Sequence, residues 1–353
     1  MPLNLNVIKK FDKKNMYSSI DSLHLQCKQV LGEKDQIKIP NNYKNIDKVI
    51  VSGMGASILG GHIIKSLYKD SLKVPVELFR NYTLPAYVSS KTLCIISSYS
   101  GTTEETIATF KEARKKKAKI FIITAGGPLK AFAKKYKIPS YIFEPKNNPC
   151  NEPRMGLGYS IFGKLMIFRK LGLIKITEKE LENVIESIKK FSKNFEISNQ
   201  KNNPALKIAT KLKNKIPVII GSEILKGNIH AFNNQINENA KNFSTWMEIP
   251  NINHHLLEGL KNPASNTKNL VFLFLNSNLY HKRNQIRYKI TEKVIKKNKI
   301  ESIEYKLQSK NKLNQAFEAL VLGSYTSFYL SMLNKLNPSP VPFVDFFKKE
   351  INK

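Results

Sequence analysis

The run Thr92-Leu93-Cys94-Ile95-Ile96-Ser97 passes straight into Ser98-Tyr99-Ser100-Gly101-Thr102-Thr103-Glu104-Glu105-Thr106, and then into a helical pattern over 107–117. An apolar run without polar alternation is a strand covered on both faces, the signature of a parallel sheet with helices on each side. That requirement excludes most all-α and all-β arrangements for this part of the chain. The turn lies between the carboxyl end of a strand and the start of a helix. There, unpaired helix N–H groups and small hydroxyls converge on an anion. A single Ser or Thr would cap the helix. Four hydroxyls within six residues, on Ser98, Ser100, Thr102 and Thr103, exceed that need and point to a phosphate. Gly101 lets the backbone come close or take a positive φ.

The same alternation recurs along the chain. Strands are expected at 47–52, 74–79, 93–97, 119–124 and 140–143, with helices at 60–67, at 107–117 and at 128–135. A second set follows, with strands at 217–221, 246–249, 270–275 and 302–306. Its helices are expected at 227–241, 256–260 (short), 281–297 and 313–333. Strands alternating with helices imply an α/β fold with parallel sheets. The expected division is a first domain over 1–153 with a helical lead-in, a helical bridge over 154–196, and a second domain over 197–353 ending in a helix. Ligands of such sheets sit outside the carboxyl ends of the strands.

A chain of 353 residues is long enough for two cores. Its formal net charge of +31 raises nucleic-acid binding. The basic residues are dispersed along the chain, however, and no basic–aromatic platform or zinc module accompanies them. No nucleic-acid partner is expected; a positive field instead favours capture of a phosphorylated small molecule. The most apolar stretch, 159–174, is interrupted by Lys164, Arg169 and Lys170 and falls short of a membrane span. The lysine-rich N-terminus has no signal-peptide core. Cys27, Cys94 and Cys150 have no ligand spacing and read as reduced thiols of a cytoplasmic protein.

Four further motifs carry candidate chemistry. Gly53-Met54-Gly55-Ala56-Ser57-Ile58-Leu59-Gly60-Gly61 follows the first strand. Such a turn cradles a dinucleotide or a sugar phosphate, and Ile58 breaks the dinucleotide spacing. Arg154 stands beside Pro153 at a helix start, where an arginine usually points to solvent. Glu238 lies between two asparagines in Asn237-Glu238-Asn239-Ala240-Lys241; a lone helical glutamate is ordinarily a solvated residue, and Lys241 is expected to pair on the helix surface. The pair His254-His255 has metal-ligating chemistry, but no other Cys/His/Asp cluster at ligand spacing supports a metal.

Together these segments, from about residue 45 to the C-terminus, resemble the bifunctional phosphoglucose/phosphomannose isomerases, a family of sugar-isomerase (SIS) fold. The hydroxyl turn matches the family's Ser-Tyr-Ser-Gly-Asn-Thr-x-Glu-Thr, with Thr102 for Asn. The glycine turn matches Gly-Met-Gly-Gly-Ser-x-x-Gly-Gly-Asp, with Ala56 for Gly and His62 for Asp. The resemblance implies two flavodoxin-like SIS domains and an enzyme interconverting glucose 6-phosphate and mannose 6-phosphate with fructose 6-phosphate, without metal, nucleotide or other cofactor. It implies Glu238 as the catalytic base, Arg154 facing the active site, and His254 assisting ring opening from across a subunit boundary, hence a homodimer. His255 and Leu256 depart from the family's Asn-His-Asn-Glu. Phosphate binding falls to Gly55, Ala56, Ser57, Ser98, Ser100 and Thr103. The tail Asn337-Pro338-Ser339-Pro340-Val341 followed by Phe347-Lys348-Lys349-Glu350 implies an active-site lysine at Lys348, with Lys349 as the other register. Ser339 occupies a hydroxyl position associated with dual glucose/mannose specificity. The competing expectation is an inactive SIS protein that binds a sugar phosphate and regulates a partner.

Overall fold

The computed structural model describes residues 3–351. Three helices lead in: α1 (Leu5–Phe11), α2 (Met16–Asp21) and α3 (Leu23–Gly32). The first α/β unit comprises β1 (Lys48–Ser52), α4 (Ala56–Leu67), β2 (Val76–Phe79), β3 (Thr92–Ser97), α5 (Glu104–Lys115), β4 (Lys119–Thr124), α6 (Gly127–Lys135) and β5 (Ser140–Ile142). Then come α7 (Leu157–Lys170), α8 (Glu178–Phe195) and α9 (Pro204–Leu212). The second unit comprises β6 (Ile216–Ser222), α10 (Lys226–Ala240), β7 (Thr245–Ile249), the single turn α11 (Asn266–Asn269), β8 (Leu270–Asn276), α12 (Lys282–Lys297), β9 (Glu301–Lys306) and α13 (Lys312–Leu333). A last helix, α14 (Pro342–Ile351), follows the proline-rich tail.

Both sheets are parallel throughout. The first has the order β2-β1-β3-β4-β5 and the second β7-β6-β8-β9. Val49, Ile50, Val51, Leu93, Cys94, Ile95 and Ile96 are buried on both faces, as a central parallel strand requires. In the first sheet the chain moves one way from β1 to β2 and the other way to β3. The topological switch point therefore lies between β1 and β3, whose following loops are the glycine turn and the hydroxyl turn. The equivalent crevice in the second sheet is filled by Tyr280, whose hydroxyl accepts from the Ser222 N–H at 3.3 Å and donates to the Leu275 carbonyl at 3.1 Å.

The fold class matches the sequence reading, with local differences. Helix α4 starts at Ala56 rather than at residue 60, because the glycine turn enters the helix directly at Gly55. The segment expected as a short helix at 256–260 is a 3₁₀ turn, Leu257–Leu260. Helix α9 has no counterpart among the expected elements. The helices at 154–196 do not stand apart as a connector. Residues of α7 and α8 join one continuous core with β1, α4, β6, β8, α10 and α13. Among the described residues no helix is long and apolar enough to cross a membrane.

The two units meet where α10 crosses α4. The Gly227 N–H donates to Ser66 Oγ at 3.1 Å, and His230 Nδ1 lies 2.9 Å from His62 Nδ1. As the α10 numbers rise the α4 numbers fall, so the helices run in opposite directions. A Cβ at Gly227 would stand 2.5 Å from Ile63 N and 2.7 Å from the His62 carbonyl carbon, so only glycine permits this approach. Gly227→Ala should force α4 and α10 apart and destabilise the protein by about 1–3 kcal/mol. Urea denaturation reads this as a lower midpoint at unchanged slope; an unshifted midpoint shows that the crossing yields freely.

Candidate active site

The switch-point loops are built from hydroxyls and backbone. Ser98 Oγ accepts from the Gly101 N–H at 3.1 Å and lies 2.8 Å from Thr103 Oγ1. Ser100 Oγ pairs with Thr102 Oγ1 at 2.8 Å, and Ser57 Oγ accepts from the Tyr99 N–H at 3.2 Å. The last bond joins the glycine turn to the hydroxyl turn. Thr103 is the residue before α5, yet its hydroxyl faces Ser98 and does not cap its own helix. Gly55, the residue before α4, has no side chain to cap with. Two helix N-termini without side-chain caps thus meet at adjacent strand ends, a favourable setting for a dianion. Gly101 holds φ at +72°, and a Cβ there would collide with the Gly126 carbonyl of the next loop. Gly55, Ser100 and Thr102 are exposed, Ala56, Ser57 and Thr103 partly so, and Ser98 is buried.

The loop after β5 brings Arg154 to this edge. Asn148 donates to the Tyr99 hydroxyl at 2.9 Å and to the Glu152 carbonyl at 3.0 Å, tying residues 148–154 to the hydroxyl turn. The Arg154 guanidinium donates from Nε to Asn239 Oδ1 at 2.9 Å and from Nη1 to Glu152 Oε2 at 2.9 Å. Its Nη2 donates to the carbonyls of Pro338 and Ser339 at 2.9 and 2.7 Å. Of the five donors of an arginine one remains, on Nη1. Arg154 therefore does not point to solvent; it links the first unit, α10 and the tail.

Glu238 sits in the last turn of α10 beside this hub. From His230 to Glu238, α10 rises about 12 Å, and from His62 back to Ala56, α4 covers about 9 Å in the same direction. The antiparallel crossing thus carries Glu238 level with the glycine turn. Its carboxylate is partly buried and has no hydrogen bond or ion pair among the described residues. Burial pushes its pKa up; Arg154 and Lys241 pull against that, and Glu152 adds to it. Lys241 ends the helix in a left-handed conformation, φ +53°. Its ammonium donates to the Glu238 carbonyl, and to the Pro338 carbonyl at 2.8 Å. Burial and the neighbouring Arg154 push it down to about 8. The surface pairing expected for Lys241 is thus replaced by an inward role. The Asn-Glu-Asn-x-Lys spacing held that signal, since a lysine after the helix end folds back on the last carbonyls. Ser339 is fully buried and its hydroxyl has no hydrogen-bond partner among the described residues.

Two candidates are not brought to this group. His254 is exposed at the end of the 3₁₀ turn Asn251–His254, past the carboxyl end of β7. Glu238 precedes the amino end of that strand, and β7 alone spans about 16 Å. One chain therefore places the two at opposite ends of the second sheet. Lys348 lies on α14, whose residues are all unburied, with Phe343 87% exposed. His62, the departure from the family's Asp, does not bond the glycine or hydroxyl turn among the described residues. It is buried against His230 and Trp246, and burial with the nearby His230 and Arg80 pushes it down to about 3. No three His, Cys, Asp or Glu side chains gather as a metal site among the described residues.

The model of the SIS domain matches residues 43–144, and that of the bacterial phospho-glucose isomerase C-terminal SIS domain matches residues 201–351. A bifunctional phosphoglucose/phosphomannose isomerase of Caldicellulosiruptor bescii is 35% identical over 352 residues, covering 95% of this chain and 98% of the relative. The chain belongs to the bifunctional phosphoglucose/phosphomannose isomerase family. Another family member, from Aquifex aeolicus, is 29% identical over 86% of this chain and 90% of its own length. The fold recurs in a hypothetical protein of Thermus thermophilus, with a TM-score of 0.73 at 15% identity over 98% of this chain and 92% of that one.

Arg154→Lys removes the planar fork that holds two tail carbonyls and Asn239 at once. It should lower stability by about 1.5–3 kcal/mol and raise amide exchange over residues 335–345 at least about tenfold. Exchange mass spectrometry checks this; unchanged protection of the tail would show that Arg154 does not hold it.

Proposed function

We propose that this protein is an aldose–ketose isomerase interconverting glucose 6-phosphate and mannose 6-phosphate with fructose 6-phosphate. The observation that carries the reading is the Glu238 carboxylate: partly buried, unpaired, raised in pKa, and level with an uncapped, hydroxyl-rich switch point. Ser57, Ser98, Ser100 and Thr103 hold the phosphate, with N–H groups of α4 and α5 and the Gly55-Ala56 backbone around it. Glu238 removes the proton from C2 of the open-chain aldose, and the C1 carbonyl becomes the enediolate oxygen. Returning that proton to C1, while the O2 proton passes to O1 and the C2–O bond becomes the carbonyl, yields the ketose, so one carboxylate serves both carbon proton transfers. The remaining Arg154 N–H and the fixed guanidinium charge stabilise the enediolate. The donors already committed to Asn239, Glu152, Pro338 and Ser339 keep that charge in place.

His254 and Lys348 assist ring opening in this proposal. His254 of one copy completes the site of a second copy, which accounts for its exposed position far from its own Glu238. Ser339 leaves room beside Arg154 for an enediol to turn about C2–C3, so that either epimer presents its C2 proton to Glu238.

Glu238→Gln keeps the shape and removes the basicity. It should lower kcat about 10²–10⁴-fold while substrate still binds. Coupled assays with both aldose phosphates, with and without a chelator, test this; near-normal turnover in the variant excludes Glu238 as the base. Binding without turnover in the wild-type protein assigns the inactive, regulatory reading instead. Ser100→Ala should raise KM more than it lowers kcat, because the phosphate is unchanged in the transition state. An unaltered KM separates this turn from phosphate binding.

A further inference from the structure

Lys164 is fully buried in the middle of α7. Its ammonium donates to Ser97 Oγ at 2.9 Å, Ser160 Oγ at 2.9 Å and the Ser160 carbonyl at 3.2 Å. All three N–H groups thus meet neutral oxygens. No carboxylate pairs with it among the described residues. Its neighbours are the supports of the phosphate turns. Ser97 ends β3 and precedes Ser98; Ser160 Oγ reaches the Ala56 and Ser57 carbonyls at 3.3 Å each. The cation therefore stands one residue behind both loops of the switch point.

A buried ammonium without a counter-charge is costly, and proteins seldom keep one without use. No carboxylate on the elements packed against Lys164 bonds it, so the anion that these loops would receive is the ligand's phosphate. We propose that Lys164 is the buried counter-charge of the bound sugar phosphate, setting its affinity and its pH dependence without touching it. This inference rests on the assignment of the Ser57 and Ser98–Thr103 loops to phosphate.

Burial alone pushes Lys164 down to about 7, so at neutral pH it is a mixture of amine and ammonium. The elements packed on it bring other charged or titratable groups: His62 and Lys65 on α4, His24, Cys27 and Lys28 on α3, Cys94 on β3, Tyr141 on β5, and Arg169 and Lys170 farther along α7. None of these is a cause of its shift. His62 is neutral at pH 7, and burial keeps the Cys27 and Cys94 thiols protonated. A dianion bound on the far side of Ser97-Ser98 favours the ammonium. By linkage, binding takes up a proton, and affinity falls as pH rises above 7, by at most about tenfold per unit.

The probe is glucitol 6-phosphate, which cannot isomerise and whose phosphate, with a second pKa near 6, is a dianion across pH 7–9. Calorimetry at pH 8 in two buffers of different ionisation enthalpy counts the protons taken up. We expect about 0.5–0.9 proton for the wild-type protein and most of that lost in Lys164→Met. In turnover of fructose 6-phosphate at pH 7, K164M should raise KM about 10–100-fold with kcat within about threefold, because the phosphate contributes equally to ground and transition states. Lys241 also titrates in this window, so the comparison is between wild type and K164M. Affinity that stays flat from pH 7 to 9, or proton uptake unchanged in K164M, overturns the inference and leaves the proposed function standing. No binding at any pH removes the phosphate assignment itself. If K164M does not fold, Lys241→Met decides: a fall in affinity with pH that persists supports Lys164, and one that vanishes assigns the effect to Lys241.

Discussion

The two α/β units meet backbone to backbone where α4 and α10 cross at Gly227, and the site depends on this crossing. Helix α4 begins at the glycine turn, and α10 ends with Glu238. Each helix belongs to a different sheet, so nothing local relates their ends. The absence of a side chain at Gly227 lets α10 lie against the α4 backbone, and the opposite directions of the helices then bring one's N-terminus beside the other's C-terminus. The buried His62–His230 pair sits one turn further along. With both rings neutral, one nitrogen donates and the other accepts, which aligns the crossing without introducing charge.

Around this crossing the protein assembles basic groups. Arg154 and Lys241 hold the same carbonyl of Pro338, and Lys164 lies beneath the hydroxyl turn. Basic groups in such a partly dry setting act on a nearby anion more strongly than the dispersed surface lysines do, because water screens the latter. The one acidic group that stays unpaired among them, Glu238, keeps a raised pKa despite two cationic neighbours, which shows that desolvation outweighs their attraction. A carboxylate in that balance is a stronger base than a solvated one.

The departures from the family's motifs fall into two kinds. Thr102 remains in the turn, where its hydroxyl bonds Ser100, so it takes part in the same hydrogen-bond network. His62 leaves the turn's chemistry altogether and serves the contact between units. His255 and Leu256 follow His254 into the loop beyond β7, at the end of the second sheet remote from Glu238.

The sequence by itself determined the parallel α/β architecture, since runs such as Leu93–Ile96 are apolar on both faces and only helices on both sides can cover them. It also determined the glycine-rich and hydroxyl-rich turns after the first and third strands, because their hydroxyls and glycines are contiguous and local spacing is enough to read them. The resemblance singled out Glu238 and Arg154, but composition and spacing alone made each an ordinary solvated residue. Only the tertiary structure showed Arg154 gripping Asn239 and the tail, Lys241 turning inward, and Lys164 lying behind the glycine and hydroxyl turns. The same holds for His254, whose place at the far end of the second sheet follows from strand direction and not from any motif. Local patterns record what a residue does for its own helix or turn. Burial, desolvation and partners from distant segments arise only when two sheets pack, and those are the quantities that make a carboxylate a base or a lysine a counter-charge.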